Sequence, residues 1–181
     1  MSKEFYIQGS VSDNEIKVLF DLASLSKDII VEIGGFQGRT SIQLAKGSQK
    51  GNNKKVYVID PWTNVKVVNT KDIFINKNIF LENIKSFEVD NIIIPIQGYS
   101  SEIIKTWNKK IGMLFIDGDH SYNGVKKDIE WIQYVIKGGT IAFHDYVLPK
   151  YKNSVVRAID EVRDTLNFKT QIDSLIIFEK I

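Results

Sequence analysis

The chain has 181 residues, 43% hydrophobic and 25% charged, enough for one well-buried core and short for two, so a single domain over residues 1–181 is expected. Its 24 basic and 22 acidic residues leave a formal charge of +2, too small an excess to argue for nucleic acid or an anionic membrane as partner. The chain has no cysteine, which excludes disulfides, zinc–thiolate sites and thiol nucleophiles within it. The start, Met1-Ser2-Lys3-Glu4-Phe5, lacks a signal-peptide pattern, and the longest apolar runs are a few residues, whereas a membrane span needs about 20. A cytoplasmic, soluble protein is the resulting expectation.

The first helix is expected over residues 13–25, with Ile16, Phe20 and Leu22 on a common side. Residues 29–33 read as the first strand, 39–46 as a helix directly after it, and 56–60 as the second strand. A longer amphipathic helix is expected over 70–87, carried by Ile73, Ile79 or Phe80, and Ile84. Further strands are expected at 92–97, 112–117 and 139–145, near-continuous apolar runs suited to parallel strands covered on both faces. Pro95 cannot donate to a ladder and so points to an edge strand or a bulge. A short helix is expected over 100–108, and a helix over 123–137 carries Val125, Ile129, Ile132 and Ile136 and stops at Gly138-Gly139. After a helix at 153–166, residues 168–171 and 174–179 read as two strands joined near Asp173-Ser174. The expected fold class is α/β, with three layers around a mostly parallel seven-stranded sheet that ends in an antiparallel hairpin.

The strongest local signal is Val31-Glu32-Ile33-Gly34-Gly35-Phe36-Gln37-Gly38-Arg39-Thr40-Ser41, a buried strand running into a glycine loop from which a helix opens. Glycines let the backbone turn sharply and approach a ligand, and helix-start amides can donate to its polar groups. The next strand ends in Asp60, 28 residues after Glu32, where a carboxylate can accept both hydroxyls of a ribose. The loop spacing is Gly-Gly-x-x-Gly, not the Gly-x-Gly-x-x-Gly of dinucleotide sites. Glu32, two residues before the first glycine, would repel a pyrophosphate and suits the ammonium and sulfonium of S-adenosylmethionine.

Two later strands also end in chemistry. Residues 114–124 read Leu-Phe-Ile-Asp-Gly-Asp-His-Ser-Tyr-Asn-Gly, and 138–146 read Gly-Gly-Thr-Ile-Ala-Phe-His-Asp-Tyr. The chain has two histidines, and each stands at one of these ends. Ligands of open α/β sheets bind at the carboxyl ends of strands, so Asp117, Asp119, His120, His144 and Asp145 are expected to converge. Asp119 or Ser121 can instead cap the helix that follows.

With these residues the chain resembles the class I S-adenosylmethionine-dependent methyltransferases. Glu32-x-Gly34-x-x-x-Gly38 is similar to their first motif, and Asp60 to their acidic residue after the second strand. Phe36 stands where many members have a further glycine. The stretches from Asp117 and from His144 resemble a branch that includes small-molecule and sugar O-methyltransferases. The resemblance covers nearly the whole chain and implies a Rossmann-like fold. It also implies S-adenosylmethionine bound by Glu32, Gly34, Gly35, Gly38, Asp60 and Asp117. Gln97-Gly98-Tyr99-Ser100-Ser101-Glu102 resembles the loop near the adenine, where Tyr99 would stack and Ser100 would bond the ring edge. Asp117 and Asp145 resemble magnesium-binding carboxylates of catechol O-methyltransferase-like enzymes. Tyr146 stands where those enzymes commonly carry an asparagine or aspartate; two carboxylates and an imidazole can also hold a divalent ion.

Transfer to a hydroxyl needs alignment and removal of its proton. His144 or His120 is the candidate base, and Asp145 the group that orients it or binds metal. The rival readings are an NAD-dependent oxidoreductase, disfavoured by the glycine spacing, and a non-catalytic nucleoside-binding module, disfavoured by the polar residues at both strand ends. No Asn/Asp-Pro-Pro-Tyr-like signature of amino-nitrogen methylation occurs. Acceptor specificity is expected in the first helix and in loops at 62–72 and 146–153, through Trp62, Asn64, Tyr146, Lys150, Tyr151 and Lys152. The pocket is open enough for a second subunit to help close it, which points to a homodimer.

Overall fold

A computed structural model describes residues 7–63 and 76–181. Helix α1 (Asp13–Leu25) opens with a capping box: Ser12 Oγ accepts from the Glu15 amide, and the Glu15 carboxylate accepts from the Ser12 amide. Strand β1 (Ile30–Ile33) is followed by α2 (Arg39–Lys50), β2 (Val56–Asp60), α3 (Lys77–Ser86) and β3 (Ile93–Gln97). Then come the single-turn α4 (Ser100–Ile103), β4 (Ile111–Ile116), α5 (Tyr122–Ile129), β5 (Val135–Phe143), the short α6 (Arg157–Asp160), β6 (Leu166–Ile172) and β7 (Leu175–Lys180).

The strands form one sheet in the order β3-β2-β1-β4-β5-β7-β6. Strands β3, β2, β1, β4 and β5 are parallel neighbours, and β7 runs antiparallel between β5 and β6. This is the expected α/β fold with its terminal hairpin. Pro95 lies in β3 at the sheet edge, where its missing N–H breaks no outer ladder.

Successive strand residues point to opposite faces, and each face has its own core. On one side Ile30, Val58, Met113 and Phe115 pack with Leu19 and Ala23 of α1, Ile42 and Leu44 of α2, and Phe80 and Ile84 of α3. On the other, Val31, Ile33, Leu114, Ile116, Ile141 and Phe143 pack with Val125 and Ile129 of α5, Trp131, and Ala158 and Ile159 of α6.

Several expected elements move. The buried stripe of α1 is Glu15, Leu19 and Ala23; Ile16 and Leu22 flank it, half-buried. The helix expected over 123–137 ends at Ile129, a 3-10 turn covers Glu130–Tyr134, and β5 has begun by Val135. Gly138 and Gly139 therefore lie inside a strand. Between the pairs Ile111–Val135 and Met113–Thr140 the ladder jumps, and Gly138, at φ 74°, sits within that bulge. Ile136 continues the helical spacing by coincidence. The helix expected over 153–166 is a chain of short turns, including a π-type turn at Lys152–Val156. Residues 70–75 of the third expected helix, with Ile73, and most of the 62–72 loop, with Asn64, lie outside the described residues.

Candidate active site

Order 2-1-4 puts the reversal of strand sequence between β1 and β4, where open α/β sheets bind ligands beyond the carboxyl ends. The hydrogen-bond ladder runs one residue past those ends. Gly98 N donates to Asp60 O, Gly34 N to Ile59 O, Asp117 N to Ile33 O and His144 N to Ile116 O, at 2.9–3.1 Å. Residues that are far apart in the chain are thereby set side by side along one rim.

At the rim, Gly34 has φ 97°, and a Cβ there would lie 2.6 Å from the Asp117 carbonyl carbon. Only glycine lets β1 turn away so close to β4. Gly35 is required by packing instead, since a Cβ would press on Val58 and, at 3.2 Å, on the Trp62 ring. Gly38 is the residue from which α2 starts. Phe36, where a glycine is commoner in the family motif, takes up φ 45° all the same. Its carbonyl is held by Trp62 Nε1 at 2.9 Å. Trp62 is 1% exposed and packs on Phe80, so it braces the loop from below.

Two acids face this loop differently. Asp60 Oδ2 accepts from the amides of Gly35 and Phe36 at 2.9 Å, and Oδ1 from that of Trp62 at 2.7 Å. Burial nevertheless holds its carboxyl above the usual range, against those three amides. Glu32 is 1% exposed; Ser41 Oγ donates to its Oε2, and its Oε1 has no partner among the described residues. Burial pushes Glu32 up to about 8, with the Asp117 and Asp60 charges adding to the rise and Ser41 opposing it. A buried acceptor without a donor costs about 1–3 kcal/mol, which a cationic ligand would relieve.

Asp117, His120 and Asp145 come together at the ends of β4 and β5, with one ligand atom from each lying within 4.8 Å of the others. His120 Nε2 is 2.7 Å from Asp145 Oδ2 and 3.5 Å from Asp117 Oδ1, yet off hydrogen-bond alignment with both. The Tyr151 ring stacks on His120 at 4.7 Å, with Lys150 Nζ 4.4 Å from the Tyr151 ring centre. Asp145 sits at φ 63°, a conformation that few non-glycine residues adopt. The two carboxylates push the His120 imidazole up to about 10.

His144 lies deeper, 4% exposed, with both ring nitrogens occupied. Nδ1 is 3.2 Å from Asp117 Oδ1 and 3.4 Å from Asp145 Oδ1, and Nε2 is 3.3 Å from Glu15 Oε2 and 3.2 Å from Ser174 Oγ. Burial pulls this imidazole down, but the bonds to Asp117 and Glu15 outweigh it and push it up to about 10. Burial likewise raises Glu15 and Asp117, and their bonds outweigh it: Glu15 is lowered to about 2 and Asp117 below its usual range. At neutral pH both histidines hold their proton, so neither offers a free lone pair until a neighbouring carboxylate is neutralised.

Other expected residues scatter. Tyr99 is 61% exposed, and the Ser100 hydroxyl donates to the buried Asp128, whose carboxyl burial pushes up to about 6. Asp119 stays outside the cluster: it accepts from Ser121, which itself caps α5. The Tyr146 hydroxyl is held between Asp160 and Arg163 at 2.6 and 2.7 Å. Sequence reading did not single out Glu15 or Asp128. The capping box Ser12-x-x-Glu15 was a visible signal for the first; a lone aspartate on an amphipathic helix carried none for the second.

The model of the methyltransferase domain matches residues 31–146, from β1 through the Asp145 cluster. The chain belongs to the methyltransferase-domain family. An uncharacterised protein of Acanthamoeba polyphaga mimivirus is 32% identical over 139 residues, covering 73% of this methyltransferase-domain chain and 58% of the viral one. The match thus spans little more than half of that relative. Cofactor-bound Rv0187 from MTB superposes with a TM-score of 0.76 at 17% identity, over 97% of this chain and 83% of the other. TomG, an O-methyltransferase from Streptomyces achromogenes involved in tomaymycin synthesis and solved with S-adenosylmethionine, gives 0.69 at 16% identity over 95% and 82%. At these identities the two solved structures establish the methyltransferase-domain architecture.

Among the described residues, no helix is long and apolar enough to cross a membrane.

Proposed function

We propose that the chain transfers a methyl group from S-adenosylmethionine to a hydroxyl of a small molecule or sugar. The observation that carries the reading is Glu32: a buried carboxyl at the glycine loop, with Oε1 unpartnered among the described residues, in a family of methyltransferases. The nearby charges of Asp117 and Asp60, which add to the rise of the Glu32 carboxyl, favour a cationic ligand over a pyrophosphate beside it. That TomG is an O-methyltransferase in the synthesis of a small molecule supports the acceptor class.

In this reading Gly34, Gly35 and Gly38 with Glu32 and Asp117 seat the amino-acid end of the cofactor. Asp60, whose Oδ2 already accepts two amides and Oδ1 one, accepts from a ribose hydroxyl with the lone pair left on Oδ1. Tyr99 and Ser100 border the adenine. The cofactor supplies an electrophilic methyl; the chain supplies alignment and the fate of the acceptor's proton. Asp117, His120 and Asp145 are the groups that handle that proton, and His144 orients Asp117 from behind.

The convergence of Asp117, His120 and Asp145 favours a divalent cation there, magnesium by its oxygen ligands. Such an ion would lower the pKa of the acceptor hydroxyl. By neutralising the two carboxylates it would also let His120 give up its proton, either as third ligand or as base.

Calorimetric titration with S-adenosylhomocysteine, with and without magnesium, tests the reading, and NAD serves as the rival ligand. Saturable binding of S-adenosylhomocysteine and none of NAD is expected. Binding of NAD alone, or of neither, overturns it.

A further inference from the structure

Glu15 belongs to α1, to which the roles proposed above assign no residue, yet its carboxylate is 1% exposed and has partners from three parts of the chain. Oε2 accepts from the Ser12 amide at 2.7 Å and lies 3.3 Å from His144 Nε2. Oε1 accepts from the amide and hydroxyl of Ser174, in the β6–β7 turn, at 2.9 and 2.8 Å. A capping box requires only the bond to Ser12. The other contacts join the start of α1 to the end of β5 and to the hairpin.

Through His144 the connection reaches the rim of the sheet, because His144 Nδ1 lies 3.2 Å from Asp117 Oδ1. Each ring nitrogen faces a carboxylate oxygen, so each donates, and the ring's plane is fixed from both sides. Asp117 in turn has one oxygen tied to a ring that cannot rotate. Without Glu15 the ring would keep Asp117 and Asp145 at Nδ1 and Ser174 Oγ at Nε2, but Nε2 would lose its one charged partner.

We infer that Glu15 is a positioning residue: it fixes the His144 ring, and through it the orientation in which Asp117 meets the cofactor. The inference rests on the proposed role of Asp117 at the cofactor. It makes the start of α1 part of the active site without contact between Glu15 and any reacting atom.

The test uses the full chain and two variants. Glu15→Gln removes the charge facing His144. Ser12→Ala removes the helix cap and the Ser12 hydroxyl's bond to Asp173 Oδ2, and keeps the Ser12 amide that donates to Glu15. With two histidines in the chain, the ring nitrogen resonances are resolved by NMR and assigned with His120→Gln. Glu15→Gln is expected to move the His144 ring resonances and to weaken S-adenosylhomocysteine about tenfold or more, the scale on which loss of an outer partner disturbs a site. Ser12→Ala is expected to lower the thermal midpoint while leaving both readouts at wild type.

Unmoved His144 resonances in Glu15→Gln overturn the inference. So does equal weakening of the ligand in both variants, which would make Glu15 a helix cap alone. If the wild-type protein takes up no S-adenosylhomocysteine, the methyl-transfer reading falls, and the His144 resonances still decide whether Glu15 holds the ring. Should Glu15→Gln fail to fold, Glu15→Asp, which keeps the charge but draws the carboxylate back by one methylene, is read by the same two measurements.

Discussion

Replacing Gly34 by alanine tests whether the glycine loop is set by close approach of two strand ends. The residue sits at φ 97°, so an alanine there carries the left-handed penalty of about 1–2 kcal/mol. Its Cβ would also lie 2.6 Å from the Asp117 carbonyl carbon and 3.1 Å from Gly118 Cα. Both obstacles are backbone, pinned by the bond from Asp117 N to Ile33 O, so they cannot swing aside as a side-chain tip would. Overpacking of this kind adds about 1–3 kcal/mol. Gly138→Ala is the control: φ is 74°, but none of the described residues lies within 4 Å of the added Cβ. The control should therefore lose about 1–2 kcal/mol and Gly34→Ala about 2–5. The difference corresponds to a thermal midpoint lower by about 2–12 °C, at roughly 2–4 °C per kcal/mol for a chain of this size. Urea and thermal unfolding measure the stabilities, and calorimetry measures S-adenosylhomocysteine binding, which only Gly34→Ala should lose. Equal stabilities, or wild-type binding by Gly34→Ala, would refute the argument.

Three further outcomes follow from the same geometry. Glu32 is neutral in the fold up to about pH 8 but ionises near 4.5 when unfolded, so its contribution to stability is full below 4.5 and lost as pH rises toward 8. Glu32→Gln should flatten that decline in apo-protein unfolding. A cationic ligand should release up to one proton at pH 7, seen by calorimetry in buffers of different ionisation enthalpy; no dependence on buffer would mean that the ligand does not meet Glu32. Trp62→Phe removes the bond to the Phe36 carbonyl and should cost about 1 kcal/mol in urea unfolding, with weaker ligand binding; an unchanged midpoint would separate Trp62 from the loop. His120→Gln should leave S-adenosylhomocysteine binding intact and weaken manganese, measured by water-proton relaxation, by at least about tenfold; unchanged affinity would remove the imidazole from the ion's ligands.

What the sequence disclosed was set by whether an element's pattern comes from one surface or from several. The parallel strands β1, β2 and β4 are buried on both faces, so their apolar runs marked them, and the glycines and acids just beyond marked the rim. Asp117, His120 and Asp145 were foreseeable as a group for that reason. The run from Val125 to Ile136 misled because its last member belongs to a bulged strand that happens to continue a spacing of four. Glu15 defeated the apolar pattern altogether, since the most buried stripe of α1 includes a carboxylate.

The two histidines show where sequence adjacency stops being informative. Each precedes or follows an aspartate at a strand end, and nothing local distinguishes them. Their difference comes from distant parts of the chain. Tyr151 stacks on a His120 ring that is partly open to solvent, with its Nε2 buried between the Asp117 and Asp145 oxygens, whereas Glu15 and Ser174, 129 and 30 residues away from His144, close over the second ring. Exposure of the ring, 37% against 2%, and not the motif therefore separates the two histidines. A His144 ring that exchanged its protons as fast as His120 would contradict that division.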